Sequence, residues 1–424
     1  MTVWIALAMF AAMYVLLLRF PDHRYLIALC TAALFMITGM VSPADAIANI
    51  DWNVIMMIGG TMATVSLFIE SRMPARMAET LLKHTSNVCW AVIALSALSG
   101  IISAFVDNVA TVLMVAPVGL AVAEKLKINP VPVIISISVS SNLQGAATLV
   151  GDTTSILLGQ YAGMSFNDFF VMNGRPGIAL AVETGAIASL VVLYGLFRKE
   201  KAPVNSEVVT KVTDYVPSFL MLATIGGLII ASQFQNKPAL TNGIICVSVA
   251  LVGILYECLH RHSSAPLDKV MKEMDYKTLL LLAGLFMVIA GITEAGVIDL
   301  IADFFLKIGG SSKLVMYVLI VGVSVVLSAF IDNIPYVATM LPVVRGIASM
   351  MGMSDPYLFY FGLLIGATLG GNLTPVGASA NIAGIGVLQK KGYQVSTKDF
   401  MRIGVPFTLT AAICGAAVVW LFWA

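Results

Sequence analysis

The sequence predicts an all-α polytopic membrane protein built from two inverted repeats, and three observations carry that prediction. The 424 residues are 59% hydrophobic and 11% charged, with a mean hydropathy of +0.94. A soluble core of this size carries about 25% charged residues. Apolar runs of roughly 17–25 residues, the length that crosses a bilayer, recur from end to end. They do not alternate apolar and polar residues, as membrane-barrel strands would. Finally, the chain nearly repeats itself: residues 103–113 read SAFVDNVATVL and residues 328–338 read SAFIDNIPYVA.

The elements follow in order. The start, MTVWIALAMF, lacks a basic n-region and reads as the first span rather than a signal peptide. Spans are predicted at 3–19, 25–41 and 54–70, with an amphipathic interfacial stretch at 72–84. Two shorter runs, 87–105 and 110–124, flank Asp107-Asn108. The second runs about 16 residues from Val109 to Glu124 and barely crosses ~30 Å of hydrocarbon. The pair is therefore predicted at the tip of a re-entrant hairpin facing protein or water, since non-helical backbone is tolerated only there. A glycine-interrupted span at 129–162 and a span at 174–197 close the first half. The polar stretch 198–215 reads as a linker. The order then restarts with 217–233, 240–258, 278–294, amphipathic 295–308, a second hairpin of 314–331 and 334–350 around Asp332-Asn333, an interrupted 356–389, and 402–423. The expected domains are repeat one at 1–197 (scaffold 3–84, transport elements 87–162), the linker, and repeat two at 216–424 (transport elements 313–389).

The halves align by position. Asp51-Trp52 matches Asp275-Tyr276 and Glu70 matches Glu294, each 224 residues on; Asp107, Asn108 and Pro117 match Asp332, Asn333 and Pro342, 225 on; Thr148 and Gly151 match Thr374 and Gly377, 226 on. A duplicated unit with small insertions gives such an offset, and internal repeats mark secondary transporter folds. Each half crosses an odd number of times, so the halves are inverted. On that topology 19 of the 24 Lys and Arg residues share the linker's side, against Arg175, Lys237, Lys307, Lys313 and Arg345 on the other. The basic excess places the linker in the cytoplasm and both termini outside, with a prokaryotic inner membrane expected.

Two constellations carry chemistry. The first is Asp107-Asn108 with Thr111, and its mate Asp332-Asn333 with Thr339. An intramembrane carboxylate is costly and marks a functional site by default. Asp107, Asn108, Asp332 and Asn333 are the expected coupling-ion residues, for Na⁺ or H⁺, and the expected Na⁺ site. The bland alternative is a helix cap at the membrane surface; its recurrence at matching places disfavours it. The second constellation is SSNLQGAATLVGDTTSILLG (140–159) with ATLGGNLTPVGASANIAGIG (367–386). Glycines and Pro375 favour unwinding, and broken helices aim their ends at midplane sites. The expected solute-binding residues are Thr111, Asn142, Thr148, Gly151, Asp152, Thr153 and Ser155 from one half, and Asn372, Thr374, Gly377, Ser379 and Asn381 from the other. Close packing through small residues explains some of the glycines but not the polar side chains. Glu70 and Glu294 close spans and read as interfacial; Glu183 stands inside a span without a mate. The five cysteines show no CxxC spacing, so no metal site or disulfide framework is supported. No cofactor is expected, and no basic tail suggests nucleic acid.

SAFVDNVATVLMVAPV and SAFIDNIPYVATMLPVV resemble the paired hairpin motifs of the ion transporter superfamily: arsenite-efflux permeases, citrate-type permeases, the melanosomal P protein, some sodium/proton antiporters and divalent anion–sodium symporters. The resemblance covers essentially the whole chain, and the SAFxDN form is most similar to the P protein-like and antiporter branches. It implies a homodimer in which a transport domain moves against a scaffold like an elevator. The chain departs from the pattern at Gln144-Gly145-Ala146, where Gly-Gly-Thr is usual, and at 151–155, where Gly-Asp-Pro-Pro-Asn is common. Half two keeps the familiar GGN and GASAN.

The expected function is a secondary active transporter, not an enzyme, coupled to Na⁺ or H⁺ and moving a small anion or oxyanion of the citrate, dicarboxylate or arsenite kind. Na⁺/H⁺ antiport is the alternative and an ion channel the remoter one. Each Asp is followed by Asn and no GxGD-like stretch occurs, which disfavours an intramembrane aspartyl protease.

Overall fold

A computed structural model describes residues 2–204, 209–234 and 236–424. The first half contains α1 (Thr2–Arg19), α2 (Arg24–Ile37), α3 (Pro43–Ala48), α4 (Trp52–Glu70), α5 (Met73–Lys83), α6 (Val88–Ser103), α7 (Asn108–Lys125), α8 (Pro130–Gln144), α9 (Thr153–Tyr161) and α10 (Ile178–Phe197). The second contains α11 (Val216–Ala231), α12 (Thr241–His260), α13 (Ala265–Glu273), α14 (Tyr276–Glu294), α15 (Val297–Gly309), α16 (Lys313–Ser328), α17 (Asn333–Met350), α18 (Tyr357–Leu364), α19 (Ser379–Lys390) and α20 (Thr397–Trp423). The ten α-helices of one half recur in the same order in the other. A short β-hairpin, Val171–Met172 with Arg175–Pro176, precedes α10; it and the short helices α3 and α13 were not foreseen from sequence.

Local chemistry sets the boundaries. Asp51 and its mate Asp275 cap α4 and α14 by accepting the backbone N–H of Val54 and Thr278, which satisfies donors that have no helical partner. Asn87 and Ser312 cap the first hairpin arms, α6 and α16. Helices α4, α7, α10, α12, α14 and α20 are long and apolar enough to cross a membrane. The bent pairs α1–α2 and α15–α16 raise the number to eight by length and composition. Ile187, Val191, Leu251, Leu255 and Ile413 stand exposed, as an apolar outer face requires in lipid.

Packing between the halves is reciprocal. Helix α4 lies on α12, α14 lies on α2, and α10 lies on α20. The first two contacts are close because of matched glycines. A Cβ on Gly60 would fall 2.5 Å from the Cys246 carbonyl carbon, and one on Gly284 would fall 2.9 Å from the Leu29 nitrogen. Small residues let helices approach in this way where lipid supplies no hydrophobic drive.

The described part of the linker is fastened down. Glu79 of α5 accepts the N–H groups of Val209 and Thr210 and the Thr210 hydroxyl, and Thr213 N–H donates to the Ser71 carbonyl. Partial burial pushes the Glu79 carboxyl up, but these hydrogen bonds and nearby Arg76 outweigh it and hold it below the usual carboxylate range. Such a group contributes stability above its unfolded pKa and loses it as pH falls through the folded value. At neutral pH Glu79→Gln should remove about 1 kcal/mol of this tether. Tryptic cleavage at Lys211 should then run roughly fivefold faster; an unchanged rate would show that the tether does not hold the linker.

Candidate functional site

Both interrupted spans break where the glycines and Pro375 predict. Helix α8 ends at Gln144, a short 3₁₀ turn covers Gly145–Ala147, and α9 starts at Thr153. In half two α18 runs into a π-helical stretch, Ile365–Leu369, and a 3₁₀ turn, Gly371–Leu373, before α19. Each unwound segment is clamped to its own hairpin. The Thr148 hydroxyl donates to the Ala104 carbonyl, and its mate Thr374 donates to the Ala329 carbonyl. These carbonyls follow the first hairpin arms, where helical partners run out. Ser155 Oγ donates to the Gly145 carbonyl and Asn381 Nδ2 to the Gly371 carbonyl. Thr148, Thr374, Gly151, Gly377, Ser155 and Asn381 thus build the frame and do not line the cavity that reaches the hairpin tips. Thr111 is buried one turn into α7, its hydroxyl without a partner among the described residues.

Between the halves lies a polar network. Asn108 Nδ2 donates to Asn142 Oδ1 at 2.9 Å. Asn142 Nδ2 donates to the Thr368 carbonyl at 2.8 Å and to Asn372 Oδ1 at 3.1 Å. Asn372 Nδ2 returns to the Val139 carbonyl. Asp152 Oδ2 accepts Thr154 Oγ1 at 2.8 Å and, across the halves, Asn333 Nδ2 at 3.3 Å. Asn108, Asn142, Asn372, Asp152 and Asn333 are all buried.

A cavity of about 400 Å³ reaches this network. Exposed Glu273 and Asp275 stand at its mouth, and Asp107, Asn108, Asp152, Thr153, Asn333 and Ser379 line its depth. Four helix N-termini therefore open on it, those of α7, α9, α17 and α19. Such termini favour anions. Its charged lining is Asp107, Asp152, Glu273 and Asp275, without Lys or Arg. Among the described residues no cluster of three or more His, Cys, Asp or Glu side chains is arranged to hold a metal ion.

The two tip aspartates are not equivalent. Both do cap helices: Asp107 Oδ1 accepts from Val109 and Ala110, and Asp332 Oδ1 from Ile334. Asp107 Oδ2 takes no hydrogen bond among the described residues. Asp332 lies outside the cavity lining, and its Oδ2 accepts Arg24 Nη1 at 2.8 Å and Ser379 Oγ at 2.9 Å. Neither hairpin motif contains a basic residue, so sequence reading missed Arg24, which arrives from α2, 308 positions away. Glu70 pairs with Arg261 and Lys269, and Glu183 accepts Gln144 Nε2.

A second cavity of about 580 Å³ is the repeat-related counterpart of the first. Asp51, Phe286, Ile289, Ala290 and Thr293 line it where Asp275, Met62, Val65, Ser66 and Ile69 line the other. It ends on Leu157, Tyr161, Ala338, Leu341 and Pro342 and touches neither hairpin tip nor unwound segment.

Residues 14–366 match the profile of the citrate transporter family CitMHS. The chain belongs to that family. This family member is 32% identical to the uncharacterized transporter Rv2685 of Mycobacterium tuberculosis over 98% of each chain. It is 25% identical to the P protein of Homo sapiens over 97% of this chain and 59% of that protein. Its fold is similar to that of the Alcanivorax borkumensis YdaH transporter, with a TM-score of 0.63 over 92% of this chain and 88% of that one, at 13% identity. The resemblance seen in the hairpin motifs is thus confirmed, and the chain is an integral membrane transporter.

Proposed function

We propose that this transporter is a cation-coupled secondary carrier of the elevator type. The observation that carries the reading is the inequality of the two repeat-related cavities: one reaches the hairpin tips, the other stops short. A carrier that opens one entrance at a time needs this arrangement, whereas an ion channel needs both entrances open onto one site. The basic excess on the side of Lys269, Lys272 and Lys277 supports an open mouth on the cytoplasmic side. Both termini then lie outside, in a prokaryotic inner membrane. Helices α6–α9 and α16–α19 form the moving domain, the remaining spans form the scaffold, and two copies form the working dimer.

Asp107 and Asp152 hold the coupling Na⁺ or H⁺. A small anion or oxyanion, of the citrate, dicarboxylate or arsenite kind, binds beside them at the helix N-termini, with Asn108, Thr153, Asn333 and Ser379 as hydrogen-bonding partners. With carboxylates as the only charged lining, a multivalent anion must enter after or together with cations. The same lining favours Na⁺/H⁺ antiport as a second reading. Proteoliposomes decide between them. Uptake of citrate, a dicarboxylate or arsenite driven by an imposed Na⁺ or pH gradient supports the first. Gradient exchange of Na⁺ for H⁺ without solute supports the second. Ohmic currents insensitive to both gradients would sink the carrier.

A further inference from the structure

The inference concerns the unequal hairpin tips and rests on the cation-coupled reading above. At both tips one aspartate oxygen caps the second hairpin helix, and the contrast that matters lies at Oδ2. At Asp332 that oxygen accepts Arg24 Nη1 and Ser379 Oγ. The repeat mate of Ser379 is Thr153, which lines the cavity wall together with Asp107. The guanidinium thus occupies, at the second tip, the place that belongs to the cavity at the first. The two repeat-related helices also differ at their starts. Helix α2 opens on Arg24, whereas its counterpart α12 opens on Thr241 and Asn242. Lys237, just before α12, reaches Asn242 Oδ1 at 3.5 Å.

Asp332 is 5% exposed, and a buried carboxylate needs a cation or a full set of donors. Arg24 supplies the cation from outside the hairpin. Beside it Tyr14 Oη of α1 donates to the Pro335 carbonyl at 2.9 Å, so two neighbouring helices grip the same hairpin. An elevator movement of that hairpin past α1 and α2 separates Arg24 from Asp332, which leaves the carboxylate needing another cation.

We propose that Arg24 is a tethered competitor for a second coupling cation, one that binds at Asp332 in addition to the cation held by Asp107 and Asp152: this second cation and the guanidinium hold the Asp332 carboxylate in turn, and the return of Arg24 expels the cation. Competition lowers the apparent affinity at Asp332 by the fraction of protein in which Arg24 is absent from the carboxylate.

The test is equilibrium binding of ²²Na⁺ to purified full-length protein in detergent at pH 8.5. Arg24→Gln should tighten Na⁺ binding at least tenfold. Arg24→Lys, which keeps a competitor, should stay within about threefold of wild type, given that Lys offers a point charge rather than a fork. Arg24→Gln with Asp332→Asn should lose the gain. Asp332→Asn alone should remove the weaker component of the wild-type curve, which keeps the proposal testable where Arg24→Gln does not yield monodisperse protein. Unchanged or weaker binding in Arg24→Gln would mean that Arg24 only orders the tip. A wild-type curve unaltered by Asp332→Asn would also overturn the proposal. So would the absence of saturable Na⁺ binding in every variant, although proton-driven uptake in liposomes would then still support the coupled carrier.

Discussion

Asp107→Asn should fold and yet lose gradient-driven uptake by roughly a hundredfold. Asn keeps the side-chain oxygen that caps α7 through Val109 and Ala110, and Asn is as good a cap as Asp. What disappears is the charge on Oδ2, in the wall of a cavity whose charged lining is acidic. Removing one partner of a desolvated charge pair costs 2–5 kcal/mol; about 3 kcal/mol corresponds to a hundredfold in cation affinity. Asp152→Asn should behave alike, because an amide oxygen still accepts from Thr154 and Asn333. Asp275→Asn is the contrast. Asp275 is exposed at the mouth and already caps α14, so its loss should act through steering alone. That effect is less than tenfold and fades with salt. Proteoliposome uptake under separate Na⁺ and pH gradients, with gel filtration as the folding check, separates these cases. Wild-type uptake in both Asp107→Asn and Asp152→Asn would refute the assignment.

The fold was legible because its determinants are local. Apolar run length, the paired SAFxDN motifs and the glycines of 140–159 and 367–386 each act within one segment, and the structure places helices and breaks accordingly. The exceptions are short. Helices α3 and α13 and the Val171–Pro176 hairpin lie in connections too brief for periodicity to register. The site was legible only as a region. Asn108, Asn142, Asn372, Asp152 and Asn333 do converge on one network, but nothing near Asp332 in sequence announces Arg24. Its role depends on how α2 meets a hairpin 308 positions away. Several residues read as solute contacts, Thr148 and Thr374 among them, turned out to fasten unwound backbone. Sequence could identify a polar residue beside a helix break but not whether its hydroxyl turns to a carbonyl or to a cavity. The duplicated pattern also implied equal tips, and Ala378, which stands where the first half has Asp152, was the visible sign that they differ.

Gly151→Ala should lower stability by about 2 kcal/mol and cut transport more than tenfold. A Cβ there would lie 2.7 Å from each of the Ser103, Ala104 and Gly145 carbonyl oxygens. All three are backbone atoms, and the first two end the arm that leads into Asp107. The methyl must therefore push the unwound segment and the hairpin tip apart, and the Thr148 bond to Ala104 stretches with them. Gly377→Ala meets the same geometry in half two, at 2.6 Å from the Gly371 oxygen, 2.7 Å from Ala329 and 2.8 Å from Ser328. The two substitutions differ in what they displace. The first moves Asp107, which faces the cavity, and should weaken cation dependence strongly. The second moves Asp332, which Arg24 already holds, and should act more on the rate of conformational exchange than on cation affinity. Gly59→Ala is the control, since its Cβ would meet only Leu279 Cδ1 at 3.9 Å, and it should be neutral. Thermal unfolding in detergent and the Na⁺ or pH dependence of uptake measure both quantities. Wild-type stability and uptake in Gly151→Ala would show that the broken helix does not need its close seat against the hairpin tip.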